Sequence, residues 1–131
     1  WKRQRAKSLI QSQIDSIFLF QPSANIVVMG DMNTSAQDDL TGMVNLMIPI
    51  QKMGQGTHKY QGIWTCLDQF YVSQSIATKA TTTIFSPWWL LEEDTKYLDY
   101  KPHRTYIGFR YNDGYSDHLP IVLHLRLDNK E

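Results

Sequence analysis

The sequence has little of several features that mark large classes of protein. Its single cysteine, Cys66, excludes an intrachain disulfide framework and a cysteine-rich zinc module. No apolar run approaches the roughly 18 residues of a transmembrane helix. Neither sign of charge dominates, because 13 Lys and Arg residues balance 13 Asp and Glu residues, which argues against a polycation that holds nucleic acid by charge alone. The 131 residues, 42% of them hydrophobic, are enough to build the core of one domain.

Hydrophobic periodicity predicts a helix followed by strands. Apolar residues spaced by three and four predict a helix near 2–20, stopped by Pro22: Leu9, Ile10, Ile14, Ile17 and Phe18. The short β-branched run 25–30 predicts a strand buried on both faces. The other predicted elements are a loop over 31–42, a short helix over 40–48 capped by Asp38 or Asp39 and ended by Pro49, strands over 63–73, 81–85, 105–111 and 121–127, and an irregular stretch over 86–104.

Chemistry-bearing residues follow the first predicted strand. Gly30-Asp31-Met32-Asn33 delivers a carboxylate and an amide to one place. An Asp beside an Asn suits a site that accepts a proton and hydrogen-bonds a phosphoryl oxygen. The same residues are also good turn formers, so this motif alone leaves both interpretations open.

Two further motifs carry acidic and imidazole groups. Asp68 interrupts the apolar run 63–73. If it is buried it needs a partner, such as a His whose tautomer it fixes, whereas strict alternation points it to solvent. Ser116-Asp117-His118, next to the final strand, places a carboxylate beside an imidazole, and His is the usual general acid–base group near neutral pH.

The three motifs in this order, Gly-Asp-x-Asn, Trp-x-x-Leu-Asp and Ser-Asp-His-x-Pro, resemble the second half of the endonuclease/exonuclease/phosphatase superfamily, the deoxyribonuclease I-like fold. The stretch from Thr105 to Tyr115 looks like its bacterial branch. The resemblance implies an α+β fold that is one half of a four-layer α/β/β/α sandwich, with a mixed, mostly antiparallel sheet and outer helices. Residues 1–131 are then expected to be the C-terminal half of one domain whose N-terminal half is absent.

The resemblance also implies a reaction and a role for each motif residue. Members of the family hydrolyse phosphate esters with Mg²⁺, or Mn²⁺, by in-line attack of water. By this likeness, Asp31 orients or deprotonates the water, and Asn33 holds a phosphate oxygen. His118 contacts the scissile phosphate, Asp68 accepts a hydrogen bond from His118, and Asp117 lies on the metal side.

Departures from the family pattern limit what the chain is expected to do alone. The family's principal metal ligands, an Asn and a Glu of its first half, cannot be placed here, so we expect weak Mg²⁺ binding and little or no turnover. The expected partners are the missing half and a phosphate-ester substrate: nucleic acid, a small phosphorylated molecule or a lipid headgroup. A homodimer through an uncovered sheet face is a further expectation, with Ile26, Val28, Leu67, Phe70, Val72, Ile121 and Leu123 on that face.

Other interpretations stay open at this point. A non-catalytic binding or scaffold module could keep the same fold. His58 and His103 stand alone in polar segments and are not expected to bind metal. Whether Arg104 and Arg110 reach a phosphate is open, and so is the compartment.

Overall fold

The computed structural model describes residues 1–126, and their fold is α+β with antiparallel sheets, as predicted. The helices are α1 Lys2–Phe20, α2 Ile48–Lys52 and α3 Gln74–Ala77, with a 3-10 turn at Trp88–Leu90. The strands are β1 Val27–Asp31, β2 Met43–Asn45, β3 His58–Tyr60, β4 Ile63–Thr65, β5 Asp68–Ser73, β6 Ala80–Ile84, β7 Leu91–Asp94, β8 Asp99–Pro102, β9 Tyr106–Ile107, β10 Arg110–Tyr111 and β11 Ile121–Leu125. Within residues 1–126, no helix is both long and apolar enough to cross a bilayer.

Helix α1 lies where the sequence predicts it and packs one apolar stripe onto the sheet. Ile14 is buried, and Ile10 and Phe18 flank it in the same cluster. These three positions are spaced by four, so they share one helical face. Leu9 and Ile17, predicted to share that face, are exposed, because the contact stripe is narrower than the periodicity suggests.

Strand β5 is the centre of a three-stranded sheet in the order β1-β5-β2. Its antiparallel register with β1 pairs Val72 with Val27 at one end and Asp68 with Asp31 at the other. The predicted strand 63–73 is in fact two strands, because β4 pairs with β3 while β5 pairs with β1 and β2. The register therefore places two carboxylates side by side at one end of the sheet.

The prediction that β1 is buried on both faces is wrong. Val28 packs beneath α1, but Val27 is 39% exposed and Met29 is 70% exposed. A short apolar run is typical of a strand with two covered faces, yet β1 is an edge strand whose second face stays open among the described residues.

Strands β6 and β11 form a second antiparallel pair that packs on β5. The pair confirms the strands predicted near 81–85 and 121–127, although β6 ends at Ile84, β11 ends at Leu125, and Leu127 lies outside the described residues. Side chains from both strands, including Leu123, pack against the buried Phe70. None of the seven residues expected to form an uncovered face is exposed, because the chain's own elements cover them. The homodimer stays a prediction.

Three predicted segments have a different structure. The segment 40–48 contains strand β2 and only the start of α2. Pro49 lies in the first turn of α2 rather than ending a helix, a position that needs no backbone N–H. The segment 86–104 is not irregular, because β7 and β8 form a hairpin there, and 105–111 holds β9 and β10 rather than one strand.

The expected helix cap at Asp38 or Asp39 is also absent. The carboxylate of Asp39 instead accepts a hydrogen bond of 2.6 Å from the Tyr71 hydroxyl and pairs with Lys7 at 2.8 Å. Asp38 accepts a long bond of 3.4 Å from the backbone of Asn45. Both acids therefore hold the 31–42 loop against α1 and the sheet rather than starting a helix.

A buried lysine ties the β7–β8 hairpin to the rest of the chain. The Lys59 side chain is 2% exposed, and its Nζ lies 2.8 Å from Asp99 and 3.4 Å from Asp94. Nζ also donates to the carbonyl of Tyr100 at 2.9 Å. Residues 91–104 show no clear period, and this long-range contact of Lys59 joins the hairpin that they form to strand β3.

We predict a pH-dependent contribution from Asp99 to stability. The hydrogen bond from Lys59 lowers the pKa of Asp99 below its ordinary value of 3.8. Stabilisation by the carboxylate is therefore complete above about pH 4 and is lost as the pH falls through the lower folded pKa. Because Asp99 is half-exposed, Asp99→Asn should cost only about 1 kcal/mol at pH 7. Urea unfolding at several pH values measures this, with Glu93→Gln on the exposed face of the same hairpin as the control. A cost that grows below pH 4 would refute the assignment.

Candidate active site

Asp31 and Asn33 form a small turn where β1 ends. The Asp31 carboxylate accepts hydrogen bonds from the Asn33 backbone N–H at 2.8 Å and from its side-chain Nδ2 at 3.2 Å. Asn33 has a φ of 52°, in the left-handed region that Asn tolerates better than most residues. Both side chains are exposed at the end of the sheet. The turn thus presents one carboxylate and one amide to solvent, as the motif suggests.

Asp68 and His118 form the shortest side-chain contact of the site. Nδ1 of His118 lies 2.6 Å from a carboxylate oxygen of Asp68, and the two side chains are 25% and 20% exposed. Asp68 is therefore neither unpartnered nor directed to solvent, and its partner is the His that the sequence offers. A carboxylate at Nδ1 fixes the imidazole tautomer and leaves Nε2 free for a ligand.

The sheet register brings the motif residues together. One potential ligand atom from each of Asp31, Asp68 and His118 lies within 4.8 Å of the others. Asp117 is exposed and belongs to a second such group, which also contains His118 and His58. His118 therefore stands between the carboxylates of the sheet and Asp117. Carboxylate oxygens are the ligands that Mg²⁺ prefers. The carboxylates of Asp31, Asp68 and Asp117 therefore suit a hard divalent ion.

Sequence reasoning missed His58. It is the first residue of β3, it forms an isolated antiparallel bridge with His118, and the two rings have centroids 5.0 Å apart. Burial, and next the His118 imidazole, lower the pKa of His58. No local sequence pattern could have shown that His58 lies beside His118, because the two residues are far apart in the sequence. His103, in contrast, lies near Glu92 and bonds the Asn112 carbonyl at 3.0 Å.

A sequence profile of the endonuclease/exonuclease/phosphatase family matches residues 1–127. The chain belongs to this family. No curated protein and no solved structure matches the chain significantly. The family assignment confirms the resemblance carried by the three motifs, while the role of each residue stays a prediction.

In this endonuclease/exonuclease/phosphatase chain, a buried network of polar side chains lies next to the site. Gln69 is fully buried, and its side chain donates to the carbonyl of Thr34 at 2.6 Å and to that of Cys66 at 3.1 Å. Its Oε1 accepts a hydrogen bond from Asn45 at 2.8 Å and lies 2.9 Å from the Tyr71 hydroxyl oxygen. The network ties the loop that carries the Asp31–Asn33 turn to β5.

A cavity of about 290 Å³ opens beside the Asp31–Asn33 turn. It lies between α1 and the 31–42 loop, and Arg3 and Lys7 of the helix are among its lining residues. Arg3 donates to the backbone carbonyl of Asn33, and Lys7 pairs with Asp39. Two of the basic residues at the start of the chain, Arg3 and Lys7, therefore hold helix α1 against this loop.

Cys66 is buried two residues before Asp68 and should be inert. Burial raises the pKa of its thiol from 9.0 to about 11. At pH 8 the thiolate fraction is then about 100-fold smaller than for an ordinary cysteine. We expect iodoacetamide to label the folded chain at least about 100-fold more slowly than the urea-unfolded chain. Mass spectrometry over time measures this, and similar rates in both states would show that Cys66 is accessible.

Proposed function

We propose that this chain carries the catalytic residues of a metal-dependent phosphoesterase, a nuclease or a phosphatase. One observation carries the proposal: the 2.6 Å contact between Asp68 and His118, beside the Asp31 carboxylate at the same end of the sheet. A structural role does not require an oriented, partly exposed imidazole next to two carboxylates. This arrangement suits an active site that must handle a proton and a developing negative charge.

Each residue has a role that its environment supports. Asp31 is exposed and orients or deprotonates the attacking water. Asn33 keeps a side-chain N–H free to hold a phosphate oxygen, because its amide uses only one N–H on Asp31. Nε2 of His118 contacts the scissile phosphate and stabilises its developing charge, and Asp68 acts as a positioning residue for that imidazole.

Asp117 is the carboxylate that would hold Mg²⁺ or Mn²⁺, because it is exposed while Asp68 is occupied by His118. When bound, such an ion offsets negative charge on the phosphate. Arg104 lies near His58, and its positive charge contributes to lowering the pKa of that imidazole. The balanced net charge of the chain favours no particular class among nucleic acids, small phosphorylated molecules and lipid headgroups.

The test uses the natural polypeptide that contains this sequence. After chelation, Mg²⁺ or Mn²⁺ is added back, and hydrolysis of a model phosphodiester, a model phosphomonoester and a duplex oligonucleotide is measured. We expect metal-dependent turnover of at least one substrate, and its loss in Asp31→Asn, which keeps the size of the side chain. A folded polypeptide without metal-dependent turnover of any of them would favour a non-catalytic binding module instead.

The 131-residue chain on its own is expected to show little turnover. The glutamates among residues 1–126, Glu92 and Glu93, belong to β7 and not to the site, so the described residues offer few strong ligands for Mg²⁺. The measurement compares the chain with its His118→Ala variant under the same conditions. Turnover of the chain above that variant would contradict this expectation.

A further inference from the structure

The fold builds His58 and His118 into one backbone arrangement. The amide of Leu119 donates to the carbonyl of Thr57 at 2.8 Å, and His58 and His118 form an antiparallel bridge. The hydroxyl of Thr57 also accepts the backbone N–H of Asp68 at 3.2 Å. Backbone pairing thus places the two histidines side by side, Asp68 holds the His118 ring, and the ring centroids lie 5.0 Å apart.

The two imidazoles and one carboxylate form a set of metal-ligand atoms. One such atom from each of His58, Asp117 and His118 lies within 4.8 Å of the others. The imidazole of His58 forms no hydrogen bond within residues 1–126, so its nitrogens are available. His118 is already held at Nδ1 by Asp68. A carboxylate behind a ligating histidine is the usual outer support of zinc sites, because it orients the ring and raises its basicity.

We propose that His58, Asp117 and His118 bind a borderline divalent metal ion, with Zn²⁺ as the ion that best suits two imidazoles and one carboxylate. A tetrahedral zinc ion needs ligand atoms about 3.3–3.5 Å apart, given bonds of about 2.0–2.1 Å. The three ligand atoms lie within 4.8 Å of one another, so zinc binding draws them closer together, and the exposed Asp117 side chain has room to move. Three protein ligands leave a fourth position open for water or a phosphate oxygen.

This site differs from the one that would hold Mg²⁺, because His58 and His118 supply two of its ligands. The two share Asp117, and zinc would occupy Nε2 of His118, the nitrogen assigned above to the scissile phosphate. Zinc should therefore inhibit Mg²⁺-supported hydrolysis. The inhibition rests on the proposed function, whereas zinc binding itself does not.

Direct binding tests the site. The tag-free chain is stripped of metal and titrated with Zn²⁺ in competition with a chromophoric chelator, and Co²⁺ is used separately because a tetrahedral site gives it intense visible absorption. We expect one equivalent to bind to the wild type, and His58→Ala to weaken the affinity at least about 10-fold. Asp68→Asn, which removes only the outer support, should weaken it about 10-fold. His124→Ala, an exposed histidine on β11, should change nothing.

The outcomes separate the alternatives. Equal zinc affinity in the wild type and His58→Ala overturns the proposal, as does tight binding that disappears in Cys66→Ser. Circular dichroism checks that each variant folds, and His58→Asn replaces His58→Ala if alanine destabilises β3. A second experiment measures Mg²⁺-supported hydrolysis by the natural polypeptide at increasing zinc concentration. The His58→Ala variant should require more zinc than the wild type for the same inhibition. If that polypeptide shows no hydrolysis, the proposed function fails while the zinc titration still decides the site.

Discussion

Replacing His118 by alanine should lower kcat for phosphoester hydrolysis by the natural polypeptide about 10³-fold, with a smaller change in KM. Removing one group that stabilises charge only in the transition state typically costs about 10²–10³ in kcat. His118 is also oriented by Asp68 through a 2.6 Å contact, so little of its effect is lost to side-chain motion. The loss should thus be at the upper end of that range.

A set of related variants tests this interpretation. Asp68→Asn should lower kcat by a smaller factor, because it disturbs the tautomer of His118 without removing the ring. The double variant should be no worse than His118→Ala alone, since Asp68 acts through His118. His124→Ala supplies the matched control, because this histidine is exposed on β11 and distant in register from the site. A loss below about 10-fold for His118→Ala would exclude it from charge stabilisation.

Replacing Gln69 by leucine should destabilise the chain by about 3 kcal/mol, the largest stability effect that we predict outside the apolar core. Gln69 is fully buried and connects four polar groups. Leucine fills the space but leaves the carbonyls of Thr34 and Cys66 without the side-chain donor. An unsatisfied buried polar group costs about 1–3 kcal/mol, and the effects within one network do not simply add.

Urea unfolding of three variants separates lost hydrogen bonds from changed volume. Gln13→Leu is the matched control, because Gln13 is exposed on α1 and the same change should alter stability by less than about 0.5 kcal/mol. Gln69→His should be milder than Gln69→Leu, since an imidazole keeps one donor and one acceptor. Equal stability of Gln69→Leu and Gln13→Leu would mean that the network contributes nothing.

Much of the site was predictable, but for reasons that differ between residues. Asp31 and Asn33 are neighbours in the chain, so their turn was evident from four residues. The cost of burying a carboxylate left Asp68 open between a His partner and solvent, and only the family resemblance implied His118 as that partner. His58 was interpreted as an isolated loop residue, and that interpretation is wrong, because its pairing with His118 depends on a strand contact that leaves no local pattern.

The elements of the fold also differ in whether the sequence alone predicts them. The helix over 2–20 and the strands near 81–85 and 121–127 were predictable because their periodicity is strong and local. The β7–β8 hairpin was missed because its residues show no clear period; the two strands pair with each other, and Lys59 of β3 links them to the rest of the chain. The exposure of Met29 was missed as well, because the residues of a strand do not reveal what covers each of its faces.

The sequence by itself determined which chemical groups the chain has, the order of its three motifs and the helix that precedes them. Side-chain periodicity and motif spacing reflect neighbours along the chain, and these can be inferred without a structure. Only the tertiary structure decided that Asp31 faces Asp68, that His118 lies between two groups of ligands, and that His58 joins one of them. Those relations depend on the register of paired strands, which is set by packing between residues far apart in the chain.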